Sequence, residues 1–176
     1  MMFPLFRRKS RGPDTISTLY GMIVAQARLP TFYRDYAVAD TVNGRFDLIV
    51  LHLAMVLDRL AQDPATQALG QGIFDRFCLD MDHNLREMGV GDLKVPKEMQ
   101  RMGEAYYGRA QAYRNAWAAA DDGALVQALE RNIYGAASVS EAVRLAAYVR
   151  QAVGQLAAQP VSSLASGALR FPQPVS

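Results

Sequence analysis

Apolar residues recur every three or four positions along most of the chain, and this spacing predicts α-helices with one buried face each. The predicted helices cover residues 14–29, 46–60, 64–88, 96–119, 121–132 and 138–156. No stretch alternates apolar and polar residues for long enough to predict a strand. The helix over 46–60 is apolar on nearly all sides, so we expect it at the centre. The pattern predicts an all-α, single-domain bundle of about six helices around that central helix.

Local signals support several of the predicted helix boundaries. Asp14 is placed to cap the first helix, and Pro30 ends it. Ser138 and Glu141 have the spacing of a capping box for the last helix. Residues 31–40, between the first two helices, are predicted to form a loop that is unusually rich in aromatic side chains.

Composition divides the chain into three parts. Residues 1–13 form a flexible arm with four basic side chains, which either contacts anionic lipid or nucleic acid or is simply solvated. Residues 14–158 form the helical domain. Residues 159–176 are rich in Ser, Gly and Pro and are predicted to be a loosely docked tail.

Length and composition exclude several protein classes. With 176 residues, 51% of them hydrophobic, and a net charge of +2, the chain can bury a core and is not expected to be disordered. Cys78 is the only cysteine, which excludes an intrachain disulfide. The strongest apolar run, residues 48–57, falls short of the about 20 residues that cross a bilayer. Charge follows the apolar N-terminus, unlike a secretory signal, so we expect a cytoplasmic protein.

The sequence offers little to support catalysis. His52 lies in the most apolar helix and is predicted to be a hydrogen-bonded core residue. His83 has Asp80 and Glu87 on the same helical face, but a di-iron bundle needs Glu-x-x-His motifs that the sequence lacks. No Gly-x-Ser-x-Gly elbow, phosphate-binding loop or nucleic-acid recognition motif is present. We therefore predict no catalytic residue, no metal site, no cofactor and no nucleic-acid recognition, which indicates a protein that acts by interaction.

Four segments are more specific than this general pattern. They are residues 41–52 (TVNGRFDLIVLH), 80–93 (DMDHNLREMGVGDL), 102–109 (MGEAYYGR) and 131–135 (RNIYG). In this order the sequence resembles the ubiquinol–cytochrome c chaperone family over about residues 14–156. The resemblance implies a non-enzymatic chaperone that receives newly made cytochrome b and aids assembly of respiratory complex III. Mitochondrial relatives work with a small partner protein and at the ribosome, and the client implies visits to the inner membrane.

A chaperone for a membrane protein needs an apolar groove, and methionine and aromatic side chains suit such a surface. The candidate client-binding residues lie in the early loop and on the helix over 96–119: Phe32, Tyr33, Tyr36, Met99, Met102, Tyr106, Tyr107, Tyr113 and Trp117. The alternative is that all of them are core residues. Lys94, Lys97 and Arg101 form a basic flank that faces either acidic client loops or anionic lipid, or is merely a solvated helix face.

Two other functional classes stay open from the residues alone. One is a helical adaptor or regulator unrelated to respiration. The other is a helical enzyme with an unrecognised site, which would require a concave pocket with convergent polar groups.

Overall fold

A computed structural model describes residues 15–135 and 140–175. Across these residues the chain is helical and contains no strand, which confirms the all-α prediction. The helices are α1 (Thr15–Ala27), α2 (Pro30–Arg34), α3 (Val42–Ala61), α4 (Gln67–Glu87), α5 (Val95–Ala118), α6 (Gly123–Leu129), α7 (Ser140–Ala158) and α8 (Val161–Ala165). A 3₁₀ turn (Pro64–Thr66) precedes α4, and a π-helical turn (Glu130–Tyr134) follows α6. The predicted arm, the Asp14 cap and Ser138 lie outside the described residues.

Helix α3 is the centre of the bundle, as its apolar pattern predicts. Residues 48–56 are all buried, and α1, α4, α5 and α7 pack around them. The helix begins at Val42, four residues before the predicted start. The Thr41 side chain accepts a hydrogen bond from the Gly44 N–H at 3.1 Å and so caps the first turn. Segment 41–44 therefore belongs to the start of the helix.

His52 is a core residue, as predicted, and its hydrogen bonds define its tautomer. The Leu48 carbonyl can only accept, so Nδ1–H donates to it at 2.8 Å. Nε2 then accepts from the Tyr148 hydroxyl at 2.9 Å, and that hydroxyl accepts from Gln26 Nε2 at 3.0 Å. Complete burial lowers the His52 pKa to about 4, so the ring is neutral near pH 7.

Two short helices differ from the prediction. Pro30 starts α2 because its fixed φ suits a first helical position, so the predicted loop over 31–40 contains a helical turn. The C-terminal segment is packed rather than loosely docked: it forms α8, and Leu164 and Leu169 are buried. Gln26 Nε2 donates to the Pro172 carbonyl at 2.9 Å. Buried side chains and backbone hydrogen bonds outweigh the turn-rich composition here.

Candidate functional site

Five of the nine predicted client-binding residues lie in the core: Phe32, Tyr36, Tyr106, Tyr113 and Trp117. Phe32 packs edge-on against His52 at a ring distance of 5.3 Å. Tyr113 and Trp117 stack at 6.4 Å with nearly parallel planes. These aromatic rings stabilise the bundle, and four of them line no described groove. The exception is Tyr106, which is buried but contributes to the wall of a cleft.

An open groove of about 300 Å³ runs between the start of α3, the end of α4 and α5. We call it the methionine groove, because three methionines line it. Its walls are Arg28, Val42, Arg45, Phe46, Ile49, Met81, Asn84, Leu85, Glu87, Met88 and Met102. Ile49, Met81 and Leu85 form a buried floor. Val42 and Met88 lie on its rim, where 66% and 56% of their surface is exposed.

A partly buried ion pair supports one wall of this groove. Arg109 of α5 donates to the Asp47 carboxylate of α3 at 2.5 Å. The same guanidinium lies over the Phe46 ring, 5.7 Å from its centroid. Burial raises the pKa of Asp47, and the nearby Arg109 charge opposes that shift in part. Desolvation by burial is the larger of the two effects on this pKa. The ion pair itself joins α3 to α5, and Arg109 holds Phe46 in position.

A polar cleft adjoins the methionine groove and shares two arginines with it. Arg28 and Arg45 also line an adjoining polar cleft of about 580 Å³, together with Pro30, Tyr33, Arg34 and Asp40. Arg45 is paired with Asp40 at 2.8 Å. The Tyr33 hydroxyl donates to the Ala27 carbonyl at 2.9 Å. Of the early aromatic residues, Tyr33 is therefore the one at a surface cleft.

A separate cleft of about 200 Å³ lies on another side of α5. Its walls are Leu57, Ala61, Gln67, Gly70, Gln71, Phe74, Tyr106 and Tyr107. Tyr107 is 63% exposed, and its ring lies 5.6 Å from that of Phe74. Met102 and Tyr107, predicted to share one groove, therefore line two different clefts.

The remaining candidates lie around the start of α5. Met99 is partly buried and packs against the core. Lys94, Lys97 and Arg101 are all exposed, and Arg101 forms an ion pair with Glu98 at 3.2 Å. The methionine groove also contains residues that sequence reasoning treated only as core or helix-end positions, namely Val42, Phe46, Ile49, Met81, Leu85 and Met88. The spacing of Met81, Leu85 and Met88 by four and three residues, with Met88 at the end of its helix, was the available signal.

Within 15–135 and 140–175, no three His, Cys, Asp or Glu side chains are close enough to hold a metal ion. In the same ranges, no helix combines the length and the apolar character needed to cross a bilayer.

Together, these elements define an all-α bundle with open, largely apolar clefts between its helices. The family description "Ubiquinol-cytochrome C chaperone" matches residues 34–171, and the chain belongs to this family. It is similar to the protein described as "Crystal structure of the Cbp3 homolog from Brucella abortus". The two are 39% identical, with a TM-score of 0.84, over 90% of this chain and 89% of that one. No curated protein matches the sequence.

Proposed function

We propose that this protein holds an apolar segment of newly made cytochrome b in the methionine groove during assembly of complex III. It acts by binding and release, without catalysis and without a cofactor, in the cytoplasm beside the inner membrane. Membership of the ubiquinol–cytochrome c chaperone family supports a role in the assembly of complex III. The open methionine groove supports binding through an apolar segment of the client. A small partner protein and a ribosome contact stay predictions from the family resemblance.

The observation that carries this proposal is the contrast between a fixed floor and an open rim. Ile49 and Met81 are buried and shaped by the bundle, whereas Val42 and Met88 are more than half exposed. Methionine is unbranched and repacks around partners of different shape. Fully covering a side chain of this size contributes about 1.5–3 kcal/mol, so two half-exposed rim residues contribute about half of that each. Such a site favours an apolar segment yet permits release.

The experiment is site-specific photo-crosslinking in cells that make cytochrome b. A crosslinking amino acid replaces Val42 or Met88 on the rim. Leu79 is the matched control, because it lies on α4, is 64% exposed and lines no described groove. We expect cytochrome b adducts from positions 42 and 88 and few from 79. Equal adducts from all three positions would exclude a specific groove.

A pair of truncations distinguishes the two apolar clefts. Met88→Ser alters the methionine groove and Tyr107→Ser alters the Phe74 cleft, and both side chains are exposed enough for Tm to change little. We expect Met88→Ser to reduce recovery of cytochrome b in mild detergent and Tyr107→Ser to leave it unchanged. The reverse result would move the client to the Phe74 cleft. If the wild-type protein recovers no cytochrome b from cells that make it, the proposed client is wrong.

A further inference from the structure

Residues 168–175, which we call the strap, follow α8 and cross the bundle without forming a helix. Gly167 has φ +89°, which glycine adopts without strain, where the chain leaves α8. Each hydrogen bond that the structure describes between residues 169–175 and the preceding helices and turns uses a side chain of the latter. Three residues of the strap are buried: Leu169, Pro172 and Pro174.

The first half of the strap is attached to three helices. The side-chain amide of Gln159, at the end of α7, pairs with the Arg170 backbone: Nε2 donates to the carbonyl and Oε1 accepts from the N–H, both at 2.8 Å. The Phe171 ring lies edge-on to buried His52 of α3 at 5.3 Å. Gln26 of α1 donates to the carbonyl of the next residue. The strap therefore joins α1, α3 and α7.

The last residue of the strap contacts the connection between α2 and α3. The Val175 N–H donates to the Tyr36 hydroxyl at 3.1 Å. Arg144 of α7 bridges the two segments, because its guanidinium donates to the Val175 carbonyl at 2.7 Å and to the Asp35 carbonyl at 2.9 Å. The same guanidinium lies over the Tyr36 ring, 4.8 Å from its centroid.

This connection, residues 35–40, contains a strained backbone, and we call it the Ala37 turn. Ala37 has φ +51°, and within 15–135 and 140–175 no other residue except glycine has a positive φ. The left-handed region disfavours alanine about fivefold or more. The Ala37 side chain is exposed, so no packing compensates for this strain, whereas Tyr36 and Val38 on either side are buried. The contacts of these neighbours hold the turn.

We propose that the strap holds the Ala37 turn in its strained form, and that release of the strap lets the turn relax. A strained residue persists only where the surrounding contacts impose its conformation, and such residues are typical of switch regions. Here the strap supplies one of those contacts, through Val175 and Tyr36.

The Ala37 turn leads directly to the methionine groove. Thr41, four residues after Ala37, caps α3, and Val42 lies on the rim of the groove. Release of the strap therefore changes the conformation at the entrance of the groove. The effect on client binding rests on the proposed function, whereas the switch itself does not.

The test is amide hydrogen exchange of the full chain at pH 7, followed residue by residue by NMR. The Val175 N–H reports release of the strap. The Val38 N–H, which donates to the Phe32 carbonyl at 3.2 Å, reports opening of the turn. The Leu51 N–H, in the buried middle of α3, reports global unfolding. Because the turn opens only after the strap, Val38 should be less protected than Leu51 and at least as protected as Val175.

The first variant weakens the strap without changing the turn. Gln159→Ala removes two hydrogen bonds to Arg170, each about fivefold in the opening equilibrium, so Val175 and Val38 should both exchange about 25-fold faster. The matched control Gln100→Ala removes an exposed side-chain bond on α5 and should change neither rate. Acceleration at Val175 alone would overturn the inference, because the turn would then not depend on the strap.

The second variant removes the strain and keeps the strap. Ala37→Gly adopts φ +51° freely, so the turn should stay formed after the strap is released. In this background Gln159→Ala should still accelerate Val175 about 25-fold but Val38 less than fivefold. Ala39→Gly is the matched control, because this exposed alanine of the same turn lacks a positive φ, and it should leave both accelerations at about 25-fold. If Ala37→Gly also leaves both unchanged, the strap does not hold the strain and the inference is wrong.

One result from the wild-type chain would also overturn the inference. If Val38 exchanges only at the rate of Leu51, the turn opens only when the whole bundle unfolds. The exchange measurements contain no client, so a failure of rim crosslinking at positions 42 and 88 leaves them unaffected. The switch and the proposed function can therefore fail separately.

Discussion

Buried His52 predicts a specific loss of stability on acidification. The ring is neutral in the folded protein, because burial lowers its pKa from 6.5 to about 4. In the unfolded chain the ring is solvated and gains a proton near pH 6.5. Between these two values the unfolded state binds more protons, so the free energy of unfolding falls as pH falls. The contribution is complete above about pH 6.5 and is lost progressively as pH falls toward 4.

The expected magnitude follows from these two pKa values. At about pH 4.5 the unfolded imidazole is almost fully protonated, whereas the folded one is about one quarter protonated. The linkage relation then gives a loss of about 2.5 kcal/mol relative to pH 7 from this one residue. Charging the ring in place would also convert Nε2 from an acceptor to a donor, which ends the hydrogen bond that it accepts from Tyr148.

The assay is urea unfolding at pH 7 and about pH 4.5, followed by the fluorescence of Trp117, the only tryptophan. His52→Gln removes the titration while keeping an amide that can donate and accept, so the pH-dependent loss should shrink by about 2.5 kcal/mol. His83→Gln is the matched control, because it makes the same substitution at an exposed ring on α4. The reasoning is refuted if wild type and His52→Gln lose the same free energy between the two pH values.

Two further predictions concern the start of α3 and its link to α5, both measured by urea unfolding at pH 7. A Cβ at Gly44 would lie 1.9 Å from the Ala39 carbonyl oxygen, so Gly44→Ala should destabilise by about 3 kcal/mol, whereas Gly154→Ala, with open space around it, should stabilise by about 0.5–1 kcal/mol. Equal effects would contradict the close approach. Arg109→Met leaves the Asp47 carboxylate buried without its partner and should cost about 2 kcal/mol, whereas Asp47→Asn should cost less than half of that, since Arg109 can reach solvent. A larger loss from Asp47→Asn would contradict the dominance of desolvation.

The main helices could be predicted because each has a continuous apolar face. The pattern over 96–119 is an example: Tyr106, Ala110, Tyr113 and Trp117 are spaced as a packing seam, and all four are buried. The short helices α2 and α8 are harder to predict from the sequence, because a segment of five residues shows no periodicity and tertiary burial determines its structure. Long apolar helix faces therefore determine the architecture, whereas short helices depend on the residues that they pack against.

The groove could be predicted only in part, because periodicity does not show which apolar side chains remain uncovered. Tyr106 and Tyr107 are adjacent, chemically alike and line the same cleft, yet Tyr106 is buried and Tyr107 is exposed, since successive residues of a helix point about 100° apart. Met102 lines an open groove, but the groove residues Phe46 and Met81 come from two other helices. Predicting a groove that forms between three helices requires the relative positions of those helices, and the periodicity of one sequence does not give these positions.

The proposed function requires the methionine groove to bind an apolar segment and still release it. The wall residue Phe46 is positioned by Arg109, which is itself tied to Asp47, so the wall keeps its shape when the groove is empty. A preformed wall lowers the entropy lost on binding. On the proposed function, a client would add only partial burial of Val42 and Met88 at the rim, which would keep the affinity modest. A rigid wall and weak binding would then be compatible, because the ion pair holds Phe46 while the flexible Met88 side chain forms the variable contact.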